Sequence, residues 1–303
     1  MGENTAISWA NGRQGRAGYT FNAWSGCWKI SPGCKNCYAA ARDDRYNGGK
    51  HWSRTGPREM RAEAYWRQPA KWNREAEAAG ERRGVFCASL SDVGELRPDL
   101  VAPRDRLFQT IRDTPYLDWL LLTKRIEDLA TVLPWAPQVT NPDSVAALGA
   151  EPRLSDWGKP WPNVWGGVTT EDQEHAAWRL AVLRRIPFAV RFASYEPALG
   201  PIDYTRLIDP VTGKPFNALK AEDGAAKLDW IIFGDESGPR RRDAEVQWAR
   251  DARDQADAHG VAWHFKQWCG DDDPAIGGVR VRGKIHLPIL DGEQRGGFPD
   301  VTP

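Results

Sequence analysis

Three cysteines fall within eleven residues, Cys27, Cys34 and Cys37, spaced C-x6-C-x2-C. Thiolates are the natural protein ligands of iron–sulfur clusters and of zinc. A structural zinc takes four protein ligands, so that reading needs a fourth from Cys87, Cys269 or His51. A four-iron cluster held by three cysteines instead leaves one iron open to a small ligand, and iron–sulfur is the expectation here. The five cysteines are an odd number, which argues against a disulfide framework. The N-terminus lacks the apolar stretch of a secretory leader, so a cytoplasmic location is expected, in a bacterial or phage-infected cell.

Further groups able to do chemistry follow short apolar runs. Ser89, Ser91 and Asp92 follow one; Thr123, Lys124 and Arg125 the next; then Thr169, Thr170, Glu171 and Asp172; Ser194, Tyr195 and Glu196; Asp235, Glu236 and Ser237; and Lys266 with Gln267. If the runs are parallel strands, these residues ring the carboxyl end of the sheet, where active sites of such folds are built. Lys124, Arg125, Arg191 and Lys266 are candidates for binding carboxylate or phosphate. Arg240–Arg242 reads either as a solvated cluster before a helix or as phosphate contacts.

The elements that must position these groups alternate. Strands are expected at Tyr19–Trp24, Val85–Leu90, Trp119–Thr123, Val164–Val168, Phe188–Ser194, Trp230–Phe233 and Val261–Phe265. Helices are expected from Ser31 to Asp44, within Pro57–Ala79, from Pro103 to Arg112, Asp172 to Arg185 and Asp243 to His259, with Asp172 and Asp243 opening the last two. This rhythm predicts an α/β fold, a partial or full β/α barrel of the TIM type, forming one domain over residues 1–303. Residues 136–162 and 209–227 read as irregular insertions, the first placed over the rim, and 270–303 as a tail forming a hairpin or lid.

Lysine plus arginine equals aspartate plus glutamate at 41 each, which lowers the expectation of a protein that wraps duplex DNA. The sixteen tryptophans are expected mainly in the core, with aromatic walls for a planar substrate as the alternative. No apolar run is long enough to span a membrane.

Three segments together resemble the three-cysteine-motif family of bacteriophages and bacteria, a domain-of-unknown-function family. They are WSGCWKISPGCKNCYA, the pair SYEPALGPI and GDESGPRRR, and FKQWCG. That family is similar in turn to the radical S-adenosylmethionine superfamily, from whose usual C-x3-C-x2-C this chain departs in its first gap. The resemblance implies a [4Fe–4S] cluster on Cys27, Cys34 and Cys37, with S-adenosylmethionine on the open iron and an external electron donor. By it, Ser91, Asp92, Thr169, Glu171 and Ser237 contact the cofactor, and Glu196, Glu236 and Lys266 are the candidate catalytic groups. The implied substrate is a nucleic-acid base or nucleotide, as in phage DNA hypermodification. A lyase acting on damaged bases, or a zinc-holding binding module, are the competing expectations.

Overall fold

The computed structural model describes residues 5–11, 18–137, 157–238 and 240–300. Nine strands form one sheet: β1 (Tyr19–Phe21), β2 (Arg83–Cys87), β3 (Leu117–Thr123), β4 (Val164–Thr169), β5 (Val190–Tyr195), β6 (Trp230–Gly234), β7 (Ala262–Trp268), β8 (Arg280–Val281) and β9 (Lys284–His286). Their order is β1-β2-β3-β4-β5-β6-β7-β9-β8. The first seven are parallel and follow chain order, and β9 and β8 add antiparallel at the end. Runs such as LDWLLLT suit a parallel strand because both of its faces are buried.

The helices are α1 (Tyr38–Asn47), α2 (Glu63–Trp66), α3 (Gln68–Ala78), α4 (Val101–Arg112), α5 (Ile126–Val132), α6 (Gln173–Leu183) and α7 (Val246–Ala258). Their apolar sides, with Trp72, Leu107, Leu129, Leu180 and Ala252, meet one sheet face made by Val85, Trp119, Val168, Tyr195 and Phe233. The opposite face, Phe86, Leu120, Trp165, Phe192 and Trp230, is covered by the N-terminal segment. There Trp9 packs 4.5 Å from Phe86 and 6.5 Å from Trp230, centroid to centroid. Helices on one face of a sheet in consecutive order are the winding of a barrel. Of the partial or full barrel expected, the full, closed form is absent among the described residues, where β1 and β8 are the edges of the sheet. A physical reason is at hand: Trp9 and Ala10 already fill the face that closure would bury.

Several expected boundaries moved. Tyr19–Trp24 breaks after Phe21, because Asn22 leaves the ladder and ties itself to Ser89 and to the Leu90 amide. Trp24–Ser25 pairs instead with Glu59–Met60. Asp172 caps α6 through the His175 amide, as expected. Asp243 does not cap α7, which starts at Val246; its carboxylate meets Arg241 at 3.2 Å. The 209–227 segment is mostly exposed, anchored by buried Asp209, Ala218 and Leu219, and stands where a helix would connect β5 to β6. The ends of the 136–162 insertion root away from the rim, with the Trp135 indole donating to the Pro187 carbonyl ahead of β5. Positions 138–156 lie outside the described residues.

Candidate metal and substrate cleft

A cleft of about 970 Å³ opens at the carboxyl end of the parallel strands. Its walls include Ser89, Ser91, Asp92, Thr123, Lys124, Arg125, Thr169, Ser194, Glu196, Asp235, Glu236, Ser237, Lys266 and Gln267, one group from each strand end named above. Its floor is apolar, formed by Ile7, Trp9, Phe86 and Leu122. Cys27, Cys34 and Cys37 all face it, and none is in a disulfide.

The cysteine loop is short of regular structure, so its shape depends on bonds from outside. After β1 the Gly26 amide donates to the Leu90 carbonyl, beyond β2. Gly26 sits at φ 114°, and a Cβ there would lie 2.7 Å from the His51 carbonyl oxygen. Beyond β3, the Arg125 guanidinium lies 3.4 Å from Cys27 Sγ, donates to the Trp28 carbonyl at 2.8 Å and covers the Trp28 ring. Asp92 holds that guanidinium at 3.3 Å.

Beyond β4, Glu171 accepts from Ser31 Oγ at 2.7 Å and from the Gly33 amide at 2.6 Å. Behind it stand Arg179 at 2.9 Å and Lys124 at 3.6 Å. Glu171 is wholly buried; burial alone would raise its pKa, but Lys124, Arg179 and Ser31 outweigh it and bring the value to about 2. Only glycine fits at position 33, since a Cβ would stand 2.5 Å from the Glu171 carboxyl carbon. Beyond β6, Glu236 accepts from Asn36 Nδ2 at 2.9 Å and from Arg242 Nη2 at 2.6 Å, and Arg242 Nη2 also reaches the Pro32 carbonyl.

Cys34 closes a short 3-10 turn, Pro32–Cys34, and Cys37 stands at the start of α1. Burial pushes the Cys27 thiol up to about 12 despite Arg125, and raises that of Cys37 against the opposing Ala40 and Ala39 amides. Loading a metal on these sulfurs must therefore release their protons, and the compensating charge comes from the ion itself.

The expected fourth zinc ligands are elsewhere. Cys87 is buried in β2, His51 bonds Asp43 at 2.7 Å, and Cys269 Sγ lies against Asp235, outside the cleft lining. Among the described residues, no three His, Cys, Asp or Glu side chains gather round one ion-sized point.

The structure divides the expected site residues into two sets. Asp92, Glu171 and Glu236 have both carboxylate oxygens engaged and position the cysteine loop. Ser91, Thr169, Ser237, Glu196 and Lys266 face the cavity. Ser91 Oγ is buried there with no partner among the described residues. Lys266 Nζ meets Glu196 Oε1 at 2.6 Å, and Ser194 Oγ donates to Glu196 Oε2 at 3.1 Å. Arg191 is not in the cleft; it lies at the start of β5 and donates to the Ile186 carbonyl. Of the 240–242 run, Arg242 is consumed by Glu236 and Arg241 by Asp243.

Sequence reasoning missed Asn36, Arg179, Lys284 and His286. A signal existed for Arg179: it interrupts the buried stripe Ala176, Leu180, Leu183 of α6, where an unpaired charge would be costly. Lys284 and His286 reach the cleft only because β9 pairs with β7.

Fold and site define a class: a singly wound α/β protein with a three-thiol cleft at the carboxyl end of its parallel sheet. The chain belongs to the family described as "Protein of unknown function (DUF5131)", which spans residues 4–299. No curated protein and no solved structure matches it.

Proposed function

We propose that the chain is a radical S-adenosylmethionine enzyme that holds a [4Fe–4S] cluster on Cys27, Cys34 and Cys37 and acts on a nucleic-acid base or nucleotide. The observation that carries this reading is the cysteine loop itself. Three thiols outside any disulfide face one cavity at the carboxyl end of the sheet, on a loop clamped from four strand ends. When bound, the cluster supplies the low-potential electron that cleaves the sulfonium to a 5′-deoxyadenosyl radical.

The chain's own residues have distinct tasks under this reading. Ser91 lines the cavity, and its buried Oγ, without a partner among the described residues, is the group that would meet a polar atom of the cofactor. Thr169 and Ser237 line the same space. The Lys266–Glu196 pair stands ready to hold an anionic substrate group through Nζ and to accept or return a proton at the Glu196 carboxylate. Ile7, Trp9 and Phe86 keep water from the floor, which protects a reactive species from quenching.

The test is iron and its chemistry. Anaerobically reconstituted protein should be brown with about four irons per chain, and dithionite with S-adenosylmethionine should release 5′-deoxyadenosine. Cys34→Ala should lose both. A colourless protein holding one zinc per chain would overturn the proposal.

A further inference from the structure

The chain is neutral overall, yet its charges are unevenly spent. Many surface arginines meet carboxylates, as Arg97 meets Asp99 and Arg250 meets Asp291. Between Gly26 and Pro57 the sequence carries six cations, Lys29, Lys35, Arg42, Arg45, Lys50 and Arg54, against two carboxylates, Asp43 and Asp44. Asp43 is buried against His51. All six cations are exposed, and none makes an ion pair with a described residue.

Aromatic rings are interleaved with them. Arg42 and Arg45 each lie 5.4 Å from the Tyr46 centroid, and Arg54 lies 5.3 Å from that of Trp28. Tyr38 and Tyr46 are 56% and 66% exposed. The face runs into the cleft without a break, because Trp28, Lys29, Tyr38, Arg42 and Trp52 also line the cavity. Like charges left unpaired along one short segment cost repulsion, which a polyanion relieves. Exposed rings such as Tyr38, which lines the cleft mouth beside these cations, suit unstacked bases, whereas duplex hides its bases.

We infer that the cysteine loop and α1 form a docking face for the phosphates of a single nucleic-acid strand, which feeds one base into the cleft. The inference rests on reading that cleft as the substrate site. Phosphate contacts set position along the strand, and the base is selected inside the cavity.

The test is salt-dependent binding of a labelled oligothymidylate of about 15 nucleotides to the full-length protein, compared with the same length of duplex. The variant Lys35→Gln/Arg45→Gln/Lys50→Gln/Arg54→Gln alters only exposed side chains, and its thermal melt reports that the fold is intact. Each single-strand phosphate contact contributes a slope of about −0.7 in log K against log salt, so the variant's slope should be shallower by about 2 to 3. Its affinity near physiological salt should fall roughly ten- to a hundredfold. An unchanged slope and affinity would overturn the inference, as would tighter binding of the duplex. A variant that binds the strand normally but takes electrons poorly from an acidic reductant protein would make the face a donor's dock and overturn it equally. Strand binding is measured without cofactor, so wild-type protein that binds the strand but releases no 5′-deoxyadenosine would sink the radical chemistry alone.

Discussion

At the scale of single residues, the cleft separates carboxylates that hold the cysteine loop from the Lys266–Glu196 pair, which does not touch it. Glu171 is the clearest holder, with a buried carboxylate between Ser31, the Gly33 amide and Arg179. Glu171→Gln keeps the shape and removes the charge, leaving Arg179 buried without its counter-ion. The expected cost is about 3 kcal/mol of stability, measured by denaturant unfolding, with faster loss of iron to a chelator. Under the proposed cluster reading, Arg125 would act on chemistry through Cys27. A buried guanidinium against a ligand sulfur favours the more negative, reduced state of a bound cluster. Arg125→Gln should lower the reduction potential by roughly tens of millivolts in a titration followed by electron paramagnetic resonance, while iron content stays the same. An unmoved potential would leave Arg125 a purely structural clamp on Trp28.

At the scale of elements, a loop with almost no ladder of its own takes its form from the ends of the strands around it. The cost of ordering such a loop is offset only if every outside bond can form. Gly33→Ala is the direct check, because its Cβ would collide with the Glu171 carboxyl group, which the surrounding bonds hold in place. The expected result is a protein with native circular dichroism, weakened by about 2 kcal/mol, that retains little iron. The N-terminal segment is a second such element. Trp9 is 2% exposed and packs against Phe86, Phe192 and Trp230. Trp9→Ala should cost about 3 to 5 kcal/mol in a thermal or denaturant melt, as a large cavity in a sheet-face core does.

For the molecule as a whole, pH acts through the buried face near the sheet's far edge. His264 lies in β7 among Trp230 and Phe298, with Nε2 2.8 Å from Ser8 Oγ. Burial lowers its pKa to about 4. The unfolded chain, with a histidine near 6.5, therefore binds more protons between those values. The contribution of neutral His264 is complete above pH 6.5 and is lost as pH falls toward 4, a change of about 3 kcal/mol. Wild-type unfolding free energy should fall through that window, and His264→Gln should flatten it; parallel curves would contradict the assignment.

The sequence alone determined the local alternation of elements, because near-continuous apolar runs and amphipathic helices are statements about nearest neighbours along the chain. It also placed the cysteine trio and the polar strand ends, since a parallel sheet brings all such ends to one rim. It did not distinguish Glu171 and Glu236, whose carboxylates hold the cysteine loop, from Glu196 and Lys266, which pair with each other, because that depends on partners far away in the chain, Ser31, Gly33 and Asn36 among them. Nor did it show that the sheet stays open, a result of Trp9 filling the face a closed barrel would have buried. The basic face near the cysteines was hidden by the neutral total. Net charge sums over the chain, and only tertiary structure showed which cations are paired and which carry no ion pair among the described residues.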